Sequence, residues 1–186
     1  MPSKAADLAR IAVFAALIAA LGLPGTLTPF GNAVPITAQT LGVMLAGALL
    51  GAWRGAAACA VFLALVAAGL PLLAGGRGGL GVFAGPSAGY LIAFPLGAFV
   101  IGLLTERMLP NYRLWLGILI NIVGGILVVY AIGIPVQAAR VGSGLLAVVQ
   151  ASFQFLPGDL IKAVIAAVVA RQVHRAYPAL VGSRTE

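Results

Sequence analysis

Long stretches in which Leu, Ala, Val, Ile and Gly follow one another without a charge dominate the chain, and charges or Pro- and Gly-rich turns cut them into six. A helix needs about 20 apolar residues to cross a bilayer. The stretches therefore predict helices over roughly 8–23, 36–53, 55–73, 88–104, 114–134 and 157–173. A transmembrane barrel would show strict alternation with a polar lumen, and these runs are continuous. In lipid every backbone N–H and C=O must find an internal partner, so helices are the remaining solution. Pro24, Gly25, Pro29, Gly31 and Pro35 make the first connection long and uncharged, a length that suits a gate.

Composition sharpens this picture. Of 186 residues, 62% are apolar and only 8% charged, against roughly 25% charged in soluble domains, and mean hydropathy is +1.12. A water-soluble globular domain is excluded. The expectation is an all-α integral membrane protein with one domain over residues 1–186.

A net charge of +7 raises nucleic acid or anionic lipid as partners, so the placement of the cations decides. They form no cluster of four, and no nucleic acid is expected. Lys4, Arg10, Arg54, Arg107, Arg113, Arg171, Arg175 and Arg184 fall at one set of span ends, whereas only Arg77 and Arg140 fall at the other. The positive-inside rule then puts both termini in the cytoplasm, which requires an even number of spans and fits six. The first span follows Lys4 and Arg10 like a signal peptide, but Leu21-Gly22-Leu23-Pro24-Gly25 is a poor cleavage site and its loss would leave five spans.

Enzymatic chemistry finds little support. One cysteine (Cys59), one histidine (His174) and four acids offer almost no metal ligands, so no cofactor or metal is expected. Gly76-Arg77-Gly78-Gly79-Leu80-Gly81 matches a dinucleotide-binding glycine pattern, yet no strand precedes it, and a flexible outer loop is the better reading. Gly85-Pro86-Ser87-Ala88-Gly89 matches a serine nucleophile elbow, but His174 is expected at the opposite membrane surface, about 30 Å away. Neither Lys4 nor Lys162 follows a P-loop glycine pattern, so no nucleotide is hydrolysed by this chain.

Polar groups at membrane depth carry the signal. Span six opens Phe155-Leu156-Pro157-Gly158-Asp159-Leu160-Ile161-Lys162. Pro157 suits a helix's first turn, and Asp159 then falls where the helix dipole favours an anion. Asp159 and Lys162, three apart, share a face and can pair. A charge at the centre of a membrane helix costs roughly 2.5–3.5 kcal/mol, and such residues usually face a cavity on a substrate path. Lys162 is expected to meet a ligand carboxylate, with Asp159 orienting it or accepting from ligand N–H groups. Gln39, Thr40, Asn32, Tyr90 and Asn121 are further hydrogen-bonding candidates, and Arg77 and Arg140 are outer cations able to steer an anion. Two small-residue stripes, Ala12/Ala16/Ala20 and Gly47/Gly51/Gly55, suit close helix contact within the chain or with another membrane protein.

Three segments together carry a resemblance: Pro35-Ile36-Thr37-Ala38-Gln39-Thr40-Leu41, Gly78-Gly79-Leu80-Gly81-Val82 running into Gly85-Pro86-Ser87-Ala88-Gly89-Tyr90-Leu91, and Phe155 through Ala163. With these the chain resembles the BioY family, the biotin-binding S components of energy-coupling factor (ECF) transporters. The resemblance implies six helices, an outer pocket for biotin and a first outer loop acting as a lid. It also implies a transmembrane coupling protein and two ATPase subunits as partners in a prokaryotic plasma membrane, with the S component toppling to deliver biotin inward. Ala12, Ala16 and Ala20 fit the A-x-x-x-A contact that such subunits make with the coupling protein. Pro86-Ser87-Ala88-Gly89-Tyr90 replaces the family's usual Pro-Thr-Gly-Gly-Tyr, and Ser keeps the hydroxyl. Biotin, a monocarboxylate with a ureido ring, wants one cation, a few hydrogen-bond partners and apolar walls, which Lys162, Asp159, Asn121, Gln39 and Tyr90 are expected to supply with Arg77 nearby. The alternative is an autonomous secondary transporter for another small organic anion, although the two halves show no convincing repeat. The sequence is compatible with a homo-oligomer when the subunit stands alone.

Overall fold

The computed structural model describes residues 4–23 and 34–177. The described residues are helical and contain no β-strand: α1 (Lys4–Ala20), α2 (Gln39–Leu50), α3 (Ala52–Ala67), α4 (Ala88–Met108), α5 (Leu114–Ile122), α6 (Val129–Val141), α7 (Leu145–Ser152) and α8 (Leu156–Ala176). A π-helical stretch, Val123–Val128, joins α5 and α6 into one 28-residue rod. By length and apolarity, α4 and this rod each suffice to cross a bilayer, and α7 with α8 make a third span if taken as one helix bent by 55°.

Six of these helical segments correspond to the six expected stretches. Two are shorter than their stretches: α2 has 12 residues and α3 has 16. Gly51 explains the break between them, since at φ 84° it ends α2 and turns the chain directly into α3. Burial explains why α2 can be short. Gln39, Gly42, Val43, Met44 and every residue from Ala46 to Leu50 are buried, and the helix packs on α1, α3, α4 and α8. An apolar helix buried on all sides is a bundle centre. Close approach needs its glycines: a Cβ on Gly47 would stand 2.8 Å from Ile101 Cβ, and one on Gly55 2.9 Å from Ala46 O. The Gly47/Gly51/Gly55 stripe is therefore internal packing.

Ahead of α2 the chain from Val34 to Ala38 is not helical. Irregular backbone at membrane depth is tolerated where it lines a cavity. The loop from α3 to α4 is stapled rather than loose. Leu73 and Arg77 form a bridge, the Gly79 amide donates to Val66 O at 2.7 Å, and Gly75, Gly76 and Gly79 take positive φ. The expectation of a flexible loop is thereby corrected, because the glycines there make a defined turn followed by a short 3₁₀ turn, Leu80–Ala84. Helix α7 was not expected. Eight residues are too few for a span, and they lie between Arg140 and Pro157 where the sequence offers no polar periodicity.

The opposite end of the bundle holds the other two acids among the described residues, Asp7 and Glu106. Asp7 pairs with Arg54 at 3.0 Å and Arg10 at 3.5 Å, while Glu106 accepts from the Ala52 amide at 2.8 Å and so caps α3 from α4. His174, expected at the membrane surface, is buried, with Nε2 2.8 Å from Ala48 O on α2 and its ring against Tyr112. The correction follows from its register. His174 continues the buried α8 face of Ala163, Ala166, Ala167 and Ala170.

Candidate ligand-binding site

The non-helical segment before α2, the start of α2, the Leu73–Arg77 turn, the first turn of α4, the start of α6 and the first turns of α8 enclose a cavity. About 70 Å³ of it is open to the centres of water molecules. Val34, Ile36, Leu73, Leu91, Phe94, Val129 and Phe155 give apolar walls, and Thr37, Gln39, Thr40, Arg77, Ser87, Tyr90, Tyr130, Asp159 and Lys162 give the polar groups.

Pro157 lies in the first turn of α8 and Asp159 beside it, as their sequence spacing predicts. The expected pair forms: Lys162 Nζ lies 2.9 Å from Asp159 Oδ1, with side chains 14% and 6% exposed. Burying two charges is costly unless their remaining hydrogen-bonding capacity is met, and here it is nearly all met. Lys162 donates to Thr40 Oγ1 at 3.0 Å and to the Thr37 carbonyl, which no helix ladder uses. The Thr40 hydroxyl in turn donates to Asp159 Oδ1 at 3.1 Å, and the Tyr130 hydroxyl donates to Oδ2 at 2.8 Å.

An ammonium has three donors and all three are engaged, whereas a carboxylate offers about four acceptor directions, of which three are taken. The remaining acceptor capacity lies on Oδ2. A ligand N–H is thus matched at Asp159. Lys162 meets a ligand carboxylate only by giving up an internal bond.

Tyr90 anchors an aromatic wall. Its hydroxyl donates to Gln137 Oε1 at 2.8 Å and lies 3.5 Å from Ser152 Oγ, and its ring stands edge-on to Tyr130 and Phe155 at centroid distances of 6.2 and 6.5 Å. Gln39 lines the cavity, but its Nε2 is spent on Leu72 O at 3.2 Å and Ile18 O at 3.4 Å, tying α2 to the loop and to α1. Arg77 is exposed at the rim with Nε donating to Ala74 O at 3.1 Å.

Asn121 is not among the lining residues, which corrects its expected place. It is fully buried on α5, which packs against α8, and its Nδ2 donates to Gly117 O one turn back. Tyr130, beyond the π stretch, is the rod's residue that reaches Asp159. Arg140 sits exposed in the last turn of α6 and does not line the cavity. Asn32 and most of the connection read as a lid lie outside the described residues. Ala12, Ala16 and Ala20 are exposed along α1, whereas Ala15 and Ile18 face the bundle.

Among the lining residues that sequence reasoning did not place in the site, four bear on its chemistry. Thr37 acts through its carbonyl, which any residue would supply. Tyr130 carries a readable signal, a phenol nine residues after Asn121 in a mostly apolar rod. Phe155 reads only as an apolar residue before Pro157. Ser87 was set aside as a nucleophile, and its Oγ is hydrogen-bonded to no base among the described residues, but it is 8% exposed and lines the cavity.

Fold and cavity together define a membrane-embedded helical bundle that holds a small, mostly apolar pocket with a few fixed polar groups near one end. Residues 1–179 match the model of the BioY family, and the chain belongs to that family. It is 49% identical over 179 residues to "Biotin transporter BioY" of Rhizobium etli, with 94% of this chain and 96% of that one covered. The protein of the same name from Rhodobacter capsulatus is 45% identical over 186 residues, again covering 94% and 96%. The structure superposes with a TM-score of 0.90 and 32% identity, over 94% of this chain and 95% of the other, on a crystal structure described as the S-component for biotin from an ECF-type ABC transporter.

Proposed function

We propose that this chain is the substrate-binding membrane subunit of a vitamin uptake transporter, that its solute is biotin, and that it is not an enzyme. The observation that carries the reading is the Asp159–Lys162–Thr40–Tyr130 network on an apolar cavity, in a chain whose relatives are named biotin transporters. Biotin's ureido ring presents N–H donors that suit the open acceptor position on Asp159 Oδ2, and its bicyclic body suits the Tyr90, Tyr130 and Phe155 wall. Lys162 holds that carboxylate in place, Gln39 sets the start of α2, and Arg77 supplies a cation at the rim. Asn121 acts in the scaffold of α5.

The whole chain acts as one domain in the prokaryotic plasma membrane, with six spans formed by α1, α2, α3, α4, the α5–α6 rod and α8, and with both termini cytoplasmic. The eight-to-two division of cations between the two sets of span ends supports this orientation and puts the cavity at the outer side. The partners are an ECF transmembrane coupling protein and two ATPase subunits. The exposed Ala12, Ala16 and Ala20 face of α1 suits the coupling protein, because small residues let helix backbones approach closely in lipid.

Calorimetric titration of the detergent-purified chain with biotin tests the proposal, with Lys162→Ala in parallel. Saturable binding weakened by the substitution supports it. A folded wild-type chain that binds no biotin overturns it.

A further inference from the structure

The end of the bundle away from the cavity gathers cations that no acid answers. Arg107 lies in the last turn of α4, Arg113 immediately before α5, and Arg171 and Arg175 near the end of α8. Packing brings these three helix ends together. The Tyr112 ring, next to Arg113, stands 5.5 Å from the ring of His174, and Leu104, Met108, Tyr112 and Val173 belong to one apolar cluster. Among the described residues every acid is engaged elsewhere: Asp7 with Arg10 and Arg54, Asp159 with Lys162, and Glu106 with the Ala52 amide.

Cations at span ends are ordinary where a bundle meets the cytoplasm, and there they need only water. Arg171 departs from that pattern. It is only partly exposed, and its Nε is buried without a hydrogen-bond partner. An unmade bond at a buried donor is costly, the more so at a charged group. A guanidinium held in this way is matched by an oxyanion, whose oxygens fit its planar fork. Arg113 adds a second charge beside it, at the start of a 28-residue rod whose first turn has no side-chain cap and whose dipole is positive there.

The surroundings say that this oxyanion comes on a lipid. Trp115 and Tyr177, each two residues from one of the arginines, are 62% and 67% exposed, and amphipathic rings so placed mark the depth of the headgroups. Toward the membrane centre the same helix faces turn apolar: Leu119, one turn from Trp115, and Val168, one turn from Arg171, are both exposed. A free phosphate or an acidic peptide would use the charges and leave this apolar surface unused. Basic pockets between membrane helices hold lipid headgroups.

We propose that the ends of α4, α5 and α8 form a binding site for an anionic phospholipid, with its phosphate received by Arg171 and Arg113, Arg107 and Arg175 flanking it, and its acyl chains lying along Leu119 and Val168. The site is separate from the solute cavity, since Arg171 follows Lys162 by about 14 Å of helix rise along α8.

Native mass spectrometry of the full detergent-purified chain, mixed with equal amounts of phosphatidylglycerol and phosphatidylcholine, tests this. Wild type should retain phosphatidylglycerol in preference, and Arg171→Gln should lower that preference about fivefold, the factor expected for one arginine at an anionic surface. Arg113→Gln, at an exposed position, should lower it as well and carries the test if loss of Arg171 loosens α8. Arg140→Gln, at an exposed position in the last turn of α6, should leave it unchanged, and biotin affinity should hold in all three variants. Equal retention of the two lipids by wild type, or the same preference in wild type and both α5 and α8 variants, would overturn the site while the biotin reading stands. Displacement of the lipid by an equal concentration of inorganic phosphate would overturn it in favour of a free anion. Unchanged lipid retention with reduced uptake by the complete transporter would overturn it in favour of a partner protein.

Discussion

The ammonium of Lys162, near the start of α8, is hydrogen-bonded to the main-chain carbonyl of Thr37 just ahead of α2. One side chain thereby holds both the carboxylate of Asp159 and the non-helical strip that walls the cavity. Lys162→Met removes both restraints and leaves Asp159 buried without its cation. Breaking a buried pair costs roughly 3–5 kcal/mol, and partial exposure of the lysine places this case near about 3 kcal/mol. Thermal unfolding in detergent should show the loss, and biotin affinity should fall with it. An unchanged melting temperature would mean that the pair does not hold the strip.

Gly133→Ala should damage the pocket from behind. The face of α6 at Gly133 lies against the Tyr90 ring, and an added Cβ would overlap it, 2.5 Å from Cε1. Tyr90 must then move, straining its bond to Gln137. Overpacking of this kind costs about 1–3 kcal/mol. Biotin affinity should drop without any change in the cavity's charges, and native affinity in the variant would show that the ring has room to yield.

On α1 the expectation is a separation of binding from transport. Ala16→Leu enlarges an exposed position and disturbs nothing inside the bundle. Titration with biotin should give wild-type affinity, whereas uptake by cells carrying the complete transporter should fall several-fold. Equal uptake would remove this face from the partner contact.

Glu106→Ala should remove the cap that α4 provides to the first amide of α3, a loss of about 1 kcal/mol. The carboxylate lies at the end of the bundle away from the cavity, so unfolding should shift while biotin affinity holds.

Tyr112, between α4 and α5, has a buried hydroxyl with no partner, and burial pushes its pKa up to about 12. The unfolded value is about 10, so the folded state resists deprotonation. Its contribution to stability is fully present below pH about 10 and is lost as pH rises through about 12. Tyr112→Phe should blunt this alkaline loss, and at neutral pH it should be neutral or stabilising by up to about 1 kcal/mol, because no hydrogen bond is forfeited. A pH series of melting temperatures for both chains decides it.

What sequence could and could not deliver follows from the physics of each element. The apolar stretches marked where helices lie because lipid leaves no alternative, and the i, i+3 spacing sufficed to pair Asp159 with Lys162. Small-residue stripes were visible but ambiguous. Ala12/Ala16/Ala20 lies exposed and Gly47/Gly51/Gly55 lies inside, and only three-dimensional packing separates identical periodicities. Asn121 was misplaced because a polar residue in a span looks the same whether it faces a cavity or bonds back to its own helix at Gly117. Ser87 was undervalued because the question put to it was nucleophilic, and its lack of a partner is a property of the folded cavity alone.

The π stretch Val123–Val128 sets an angular phase. A π turn wraps each hydrogen bond one residue further than an α turn, and each residue of an α-helix advances about 100°. Gly124 and Gly125 let this wider turn press on Gly97 of α4 and Met44 of α2. Tightening this turn to ordinary α geometry with every residue kept would rotate Tyr130, Gly133 and Gln137 by about 100° against α5. The phenol would swing off Asp159 and the glycine shelf would leave Tyr90. The wider turn is what lets one continuous rod serve α8 with its first half and the cavity with its second.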